Sequence, residues 1–242
     1  MAADSLTNVL AILRQFKTTA DLNLEYPTLE FMKRWAGTDD NLTIGRFLVS
    51  VQENVQNAQM IVARSRLTDE AKTGLLSTIS SLTEAFSVGG LQNPVKAYIP
   101  SLDSAITNFA IVTSSLDIDV STDALNDILK FTEELDEFLD SIHEFDLSDS
   151  LRETASRHIL VLAAMLRNVQ AVGFDAALAS YYEMLLALRK ERPAEPDNES
   201  KATGFWDQLK LWGGRLETIS KVMETAGAAI PYIEKIPLIS GF

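Results

Sequence analysis

Side chains able to do acid–base or covalent chemistry are few in this chain. It holds two histidines, His143 and His158, and no cysteine, which removes thiol catalysis, disulfides and thiolate metal sites. Asp136, Asp140 and His143 stand at i, i+4 and i+7, along one edge of a helix. Two carboxylates and an imidazole are a ligand set that suits a divalent ion. A di-iron bundle, however, needs Glu-x-x-His on two helices, and that motif does not occur. His143 also falls where its helix should end, a place where histidine interacts well with exposed carbonyls. No metal and no cofactor is expected. The nucleophile elbow, the phosphate loop, the dinucleotide turn and His-Glu-x-x-His are all absent from the sequence. Gln52, Gln56 and Gln59 form an amide stripe, with Asn54 and Asn57 nearby, which reads as a wet helix face or a polar layer between helices.

One short string carries a likeness to known chemistry. Arg152-Glu153-Thr154-Ala155-Ser156-Arg157-His158 has the form Arg-x(4–6)-His and resembles the active-site motif of HEPN-family ribonucleases, which are all-helical and act in pairs. The resemblance spans seven residues of 242. It implies His158 as acid/base and Arg152 as the group holding the scissile phosphate. Six residues turn a helix by about 600°, which sets the two side chains about 120° apart. His158 also borders the apolar Ala155, Ile159 and Leu162, as a histidine bonded within a bundle would. From the residues, no enzyme is expected, and a ribonuclease using Arg152 and His158 is the catalytic alternative.

Charge is the next feature. Lys and Arg total 21 against 34 Asp and Glu, a net −13 and a pI near 4.6. That balance argues against broad binding to nucleic acid or to anionic membrane, both of which need positive surface. From Asp117 to Glu153 there are 13 acids opposed only by Lys130 and Arg152, so this stretch carries −11 of the total. A solvated helix face is one reading. The other is a recognition surface for a basic partner, centred on Glu133, Glu137, Asp140 and Glu144, since clustered like charge steers association.

The elements that must position these groups are helical throughout. Apolar residues recur at helical spacing and no alternating strand is evident. Stripes run through Leu6–Phe16, Leu29–Ala36, Ile44–Val62, Leu75–Phe86 and Ser101–Leu116. They continue through Thr122–Ile142 (with Leu125, Ile128/Leu129, Leu135 and Phe138/Leu139), Ser148–Val172 and Phe174–Lys190. Connections are short, so neighbours should pack as antiparallel pairs. With 46% hydrophobic residues the chain can bury a core, and its longest apolar run, Ile159–Leu166, is far too short to span a bilayer. No signal peptide is evident, and a cytoplasmic location is expected.

Residues 193–203, PAEPDNESKAT, have two prolines and no large apolar side chain, the composition of a linker. Beyond it Phe205, Leu209, Trp212, Leu216, Ile219 and Met223 step by 4, 3, 4, 3 and 4, the 3.5-residue period of a seam that docks on another helix. Trp206 adds a second large aromatic, and an apolar end with Ile230, Tyr232, Ile233, Ile236, Leu238, Ile239 and Phe242 follows.

The expected architecture is an all-α antiparallel multi-helix bundle over 1–192, a linker over 193–203, and a tethered amphipathic helix with an apolar tail over 204–242. The expected role is a non-enzymatic interaction or adaptor protein in a multi-protein assembly. It would be anchored to a protein partner or a second copy by the Phe205–Met223 stripe, with the acidic face as a second contact; the alternative for that stripe is that its helix folds back and completes the bundle core. A helical effector whose C-terminal segment inserts into a bilayer is an alternative. Nucleic acid is not expected as a partner.

Overall fold

The structure, a computed structural model, describes residues 2–23, 26–98, 102–114, 122–191 and 199–225. These form ten α-helices: α1 (Ala2–Asn23), α2 (Thr28–Ala36), α3 (Asn41–Arg64), α4 (Asp69–Ala85), α5 (Leu102–Ser114), α6 (Thr122–Ser141), α7 (Asp149–Arg167), α8 (Val169–Val172), α9 (Phe174–Glu191) and α10 (Glu199–Thr225). No strand occurs among the described residues, so the fold is all-α. No helix among them is long and apolar enough to cross a membrane. The expected linker overlaps this pattern: 199–203 belong to α10, and 193–198 lie outside the described residues.

Local chemistry sets the helix ends. The Asp40 carboxylate accepts from the Thr43 N–H at 2.8 Å and starts α3, and the Thr68 hydroxyl accepts from the Ala71 N–H to start α4. Ser148 does the same for α7 through the Leu151 N–H. Each satisfies a backbone donor that the first helical turn leaves open. Gly37 closes α2 in the left-handed conformation.

The chain divides into two compact units, Met1–Ile118 with Asn168–Gly173, and Asp119–Arg167 with Phe174–Phe242. The division therefore falls inside the span read from the sequence as one 1–192 bundle. In the first unit α1 packs on α3 and α5, α3 on α4, and α2 on α3. Phe16, Phe31, Phe47, Phe86 and Phe109 are fully buried there. Rings interlock at 4.3 Å between Phe16 and Phe31 and 4.8 Å between Trp35 and Phe47. Short α8 packs against α1 and α3 of this unit. The Asn54 amide holds it, donating to the Val172 carbonyl at 2.8 Å and the Ala171 carbonyl at 3.2 Å. Its oxygen accepts from Asn8 at 2.8 Å. The helix expected to be continuous over Ser148–Val172 is thus broken at Asn168, which leaves the helical conformation and donates to the Trp35 carbonyl.

In the second unit α7 and α9 form the most extensive pair. They run antiparallel, because Ser150 near the start of α7 donates to Glu191 at the end of α9. Helix α6 lies on α7, and α10 lies on α6 and α9. The apolar runs of α7 and α9 account for this: Val161 through Leu166 are all buried, as are Leu178, Tyr181, Met184, Leu185 and Leu188.

Candidate interaction surface

Helix α6 has two faces of opposite chemistry. Ala124, Ile128, Phe131, Leu135 and Phe138 face the core of their unit. Leu129, expected to share that stripe, is 56% exposed instead, and Phe131 takes the inward place. The difference is one of phase: 124, 128, 131, 135 and 138 follow the helical repeat, and 129 lies about 100° away from 128. On the outer side Glu133, Glu137, Asp140 and Glu144 are all exposed. The first three stand on α6 at i, i+4 and i+7. Glu144 belongs to the 3-10 turn Ile142–Glu144 that follows.

Arginines from neighbouring helices reach only the flanks of this outer face. Arg167 at the end of α7 pairs with Asp136, and Arg215 of α10 pairs with Glu134. Arg215 also donates to the Asp127 carbonyl at 3.3 Å and lies 4.9 Å from the Phe131 ring centre. Glu133, Glu137, Asp140 and Glu144 have no ion-pair partner among the described residues. Like charges spaced four apart on a helix repel, at a cost of about 0.2–0.5 kcal/mol per pair, so this stripe does not serve stability. Asp136 and Asp140 do not combine with His143 into a metal site. Asp136 is committed to Arg167, and no group of three Asp, Glu or His among the described residues is placed to hold a metal ion.

The C-terminal stripe has another fate. Phe205, Leu209, Trp212, Leu216 and Ile219 are each at most 3% exposed, within the second unit. Phe205 meets Phe138 and Phe145 at ring distances of 6.0 and 6.1 Å, and Trp212 meets Phe138 edge-on at 4.9 Å. These contacts, followed by Arg215 on Glu134, run α10 antiparallel to α6. The surface expected to be offered to a partner or a bilayer is therefore covered by the chain's own α6 and α9. Trp206 is half-buried beside Phe205. Met223 lies on α10, its side chain outside the described residues, as is the whole of 226–242.

Two features of this docking carry no signal in the hydropathy pattern. The Tyr181 hydroxyl of α9 donates to the Leu209 carbonyl of α10 at 2.7 Å. Gly213 leaves the room for it, since a Cβ there would stand 2.6 Å from the hydroxyl oxygen. Burial pushes the Tyr181 phenol well above its ordinary range, so it stays a donor.

Arg152 acts within its own turn. Its guanidinium donates to Asp149 at 3.1 Å, to the Leu147 carbonyl at 3.1 Å and to the Phe145 carbonyl at 3.4 Å, closing the connection into α7. His158, half-buried, lies six residues further along the same helix. No family model, curated protein or solved structure matches the chain.

Proposed function

We propose that this chain is a non-enzymatic helical interaction protein of a multi-protein assembly, and that it meets a basic partner through the outer face of α6. The observation that carries this reading is the uncompensated row of Glu133, Glu137, Asp140 and Glu144 beside two acids that do have arginine partners. Glu133 to Asp140 spans about 10 Å of α-helix, over which a partner helix would present Lys or Arg at matching i, i+4 and i+7 positions, with Glu144 on the turn that follows. Exposed Leu129, one turn before Glu133, offers an apolar contact at the edge of the same face. In this reading the Phe205–Ile219 stripe anchors α10 internally and gives the acidic helix a rigid support.

The test is affinity capture and identification of bound proteins with the full chain and with the variant Glu133→Gln, Glu137→Gln, Asp140→Asn, Glu144→Gln. The wild type should retain a basic protein whose binding weakens steeply between low and physiological salt. The variant, folded as judged by circular dichroism, should lose that protein. Capture of the same set of proteins by both, with the same salt dependence, would remove the acidic face from the function.

A further inference from the structure

The outward side of α10 has an order of its own. Phe205, Leu209, Trp212, Leu216 and Ile219 are buried against α6 and α9. About half a turn round the helix from that line run Leu211, Gly214, Thr218 and Val222, all of them exposed. Leu211, at 66%, is the most open large apolar side chain described in its unit. Gly214 has no packing reason within the chain, since a Cβ there would meet nothing within 4 Å. Glycine weakens a helix interior relative to alanine. What bare backbone in the middle of an exposed ridge does supply is room for another helix to come close.

Charges run along one edge of this ridge. Asp207, Lys210, Glu217 and Lys221 are all exposed, and their signs are negative, positive, negative, positive. Asp207 and Lys221 each stand seven residues from Gly214, while Lys210 stands four before it and Glu217 three after. Read backwards, the row has the opposite sign at every place. A two-fold axis through an antiparallel helix pair brings an edge of one helix to the same edge of the other. Two copies of α10 crossing at Gly214 therefore set Asp207 of each against Lys221 of the other, and Lys210 against Glu217, with no like charges opposed. Leu211 of each then rests on Gly214 and Thr218 of the other. A partner of different sequence would need no such self-complementary order; a second copy does. Lys210 also lies 3.9 Å from Asp207 within the chain. Exposed ion pairs are weak and change partners at little cost, so contacts within one chain do not bar contacts to the next.

We propose that α10 is a homodimerisation helix, through which two copies of this chain meet in an antiparallel, two-fold contact centred on Gly214. One face of one helix is smaller than the roughly 800 Å² per partner of a standing complex. The pair therefore forms at high chain concentration and parts in dilute solution. This surface is separate from the acidic face of α6, and its test alters no residue of that face.

The test is sedimentation equilibrium of the full chain at physiological salt, where long-range repulsion between acidic chains is screened, with concentration raised from micromolar to millimolar. The wild type should approach the mass of two chains. Lys210→Glu with Lys221→Glu, and Asp207→Lys with Glu217→Lys, should each stay at the mass of one. An equal mixture of these two variants should associate as tightly as wild type, which also shows that both are folded. Gly214→Gln improves helix propensity but fills the crossing, and should weaken association about tenfold or more. A wild type that stays single throughout would overturn the proposal. So would association that Gly214→Gln and the charge variants leave at wild-type strength, or a mixture of folded charge variants that fails to pair. Association lost instead in Ile233→Ser with Ile236→Ser would assign the contact to the apolar C-terminal residues and overturn it too.

Discussion

Trp212→Ala is the sharpest measure of how firmly α10 belongs to its unit. The indole is 1% exposed and packs against Phe131 and Phe138, with ring centres 6.2 and 4.9 Å away. Removing a buried aromatic side chain to alanine costs about 3–5 kcal/mol, with the ring-pair contacts favouring the upper part of that range. One contribution acts in the opposite direction. The buried indole N–H finds no acceptor, and deleting an unsatisfied donor relieves about 1 kcal/mol. The expected net loss is about 3–4 kcal/mol, a large fraction of the stability of a domain. The control is its neighbour: Leu211 is 66% exposed, and Leu211→Ala should fall within about 0.5 kcal/mol of wild type. Trp212→Phe keeps a ring against Phe138 and discards the unpaired donor, so it should cost only about 1 kcal/mol. Urea titrations followed by far-ultraviolet circular dichroism would read all three, with a midpoint shift of about 2 M for Trp212→Ala if the slope is near 2 kcal/mol/M. Should Trp212→Ala and Leu211→Ala shift the midpoint alike, by less than about 1 kcal/mol, α10 would not be docked and the burial argument would fail.

Other perturbations probe separate links. Burial raises the Tyr181 phenol above its ordinary value of 10.0, and Tyr182 is raised for the same reason. The folded chain therefore holds these protons more tightly than the unfolded one. Their contribution is complete below pH 10 and is lost as pH climbs through the folded values, so urea midpoints should fall as pH rises above about 10 and fall less in Tyr181→Phe. Asn54→Ala leaves the Ala171 and Val172 carbonyls without their side-chain donor, and should cost about 1–3 kcal/mol by thermal or urea unfolding. Gly173 has φ +83°, outside the usual range of residues with a Cβ, so Gly173→Ala should cost about 1–2 kcal/mol in the same assays. Asp40→Ala removes the cap of α3 and should cost about 1 kcal/mol, with Asp40→Ser recovering most of it.

The helices themselves were legible because each carries its own periodic stripe and its own stop signals. Thr68 and Ser148 announce helix starts by residue type alone, and both hydroxyls do cap the helices that follow. The break at Asn168 was not legible. Neither proline nor glycine stands within four residues of it, and the contacts made at the break involve Asn54 and Trp35, more than a hundred residues earlier. The inward phase of α6 was read with Leu129 wrongly included and Phe131 missed, because adjacent apolar residues such as Ile128 and Leu129 satisfy a helical stripe equally well until a neighbouring helix selects one. The acidic face shows the same division. Composition located it, but only the structure separates Glu134 and Asp136, which have arginine partners, from the four carboxylates that do not.

The C-terminal stripe shows most clearly why pattern and destination are different kinds of information. A step of 4, 3, 4, 3 fixes a narrow apolar seam, and a seam must be covered. The groove that covers it can belong to another chain or to helices earlier in the same one, and both grooves have the same hydropathy. Long-range pairs decide between them. Arg215 reaches Glu134 across 81 residues of sequence, and Tyr181 reaches Leu209 across 28. Each pair consists of residues that look ordinary in isolation. A glycine beside the most buried tryptophan of the seam was the one local hint, since a packed helix keeps glycine where a neighbour must come close. Tyr181 is that neighbour. The attachment of the seam to this chain therefore turns on one close approach of a tyrosine to a glycine 32 residues later, which no periodic pattern encodes.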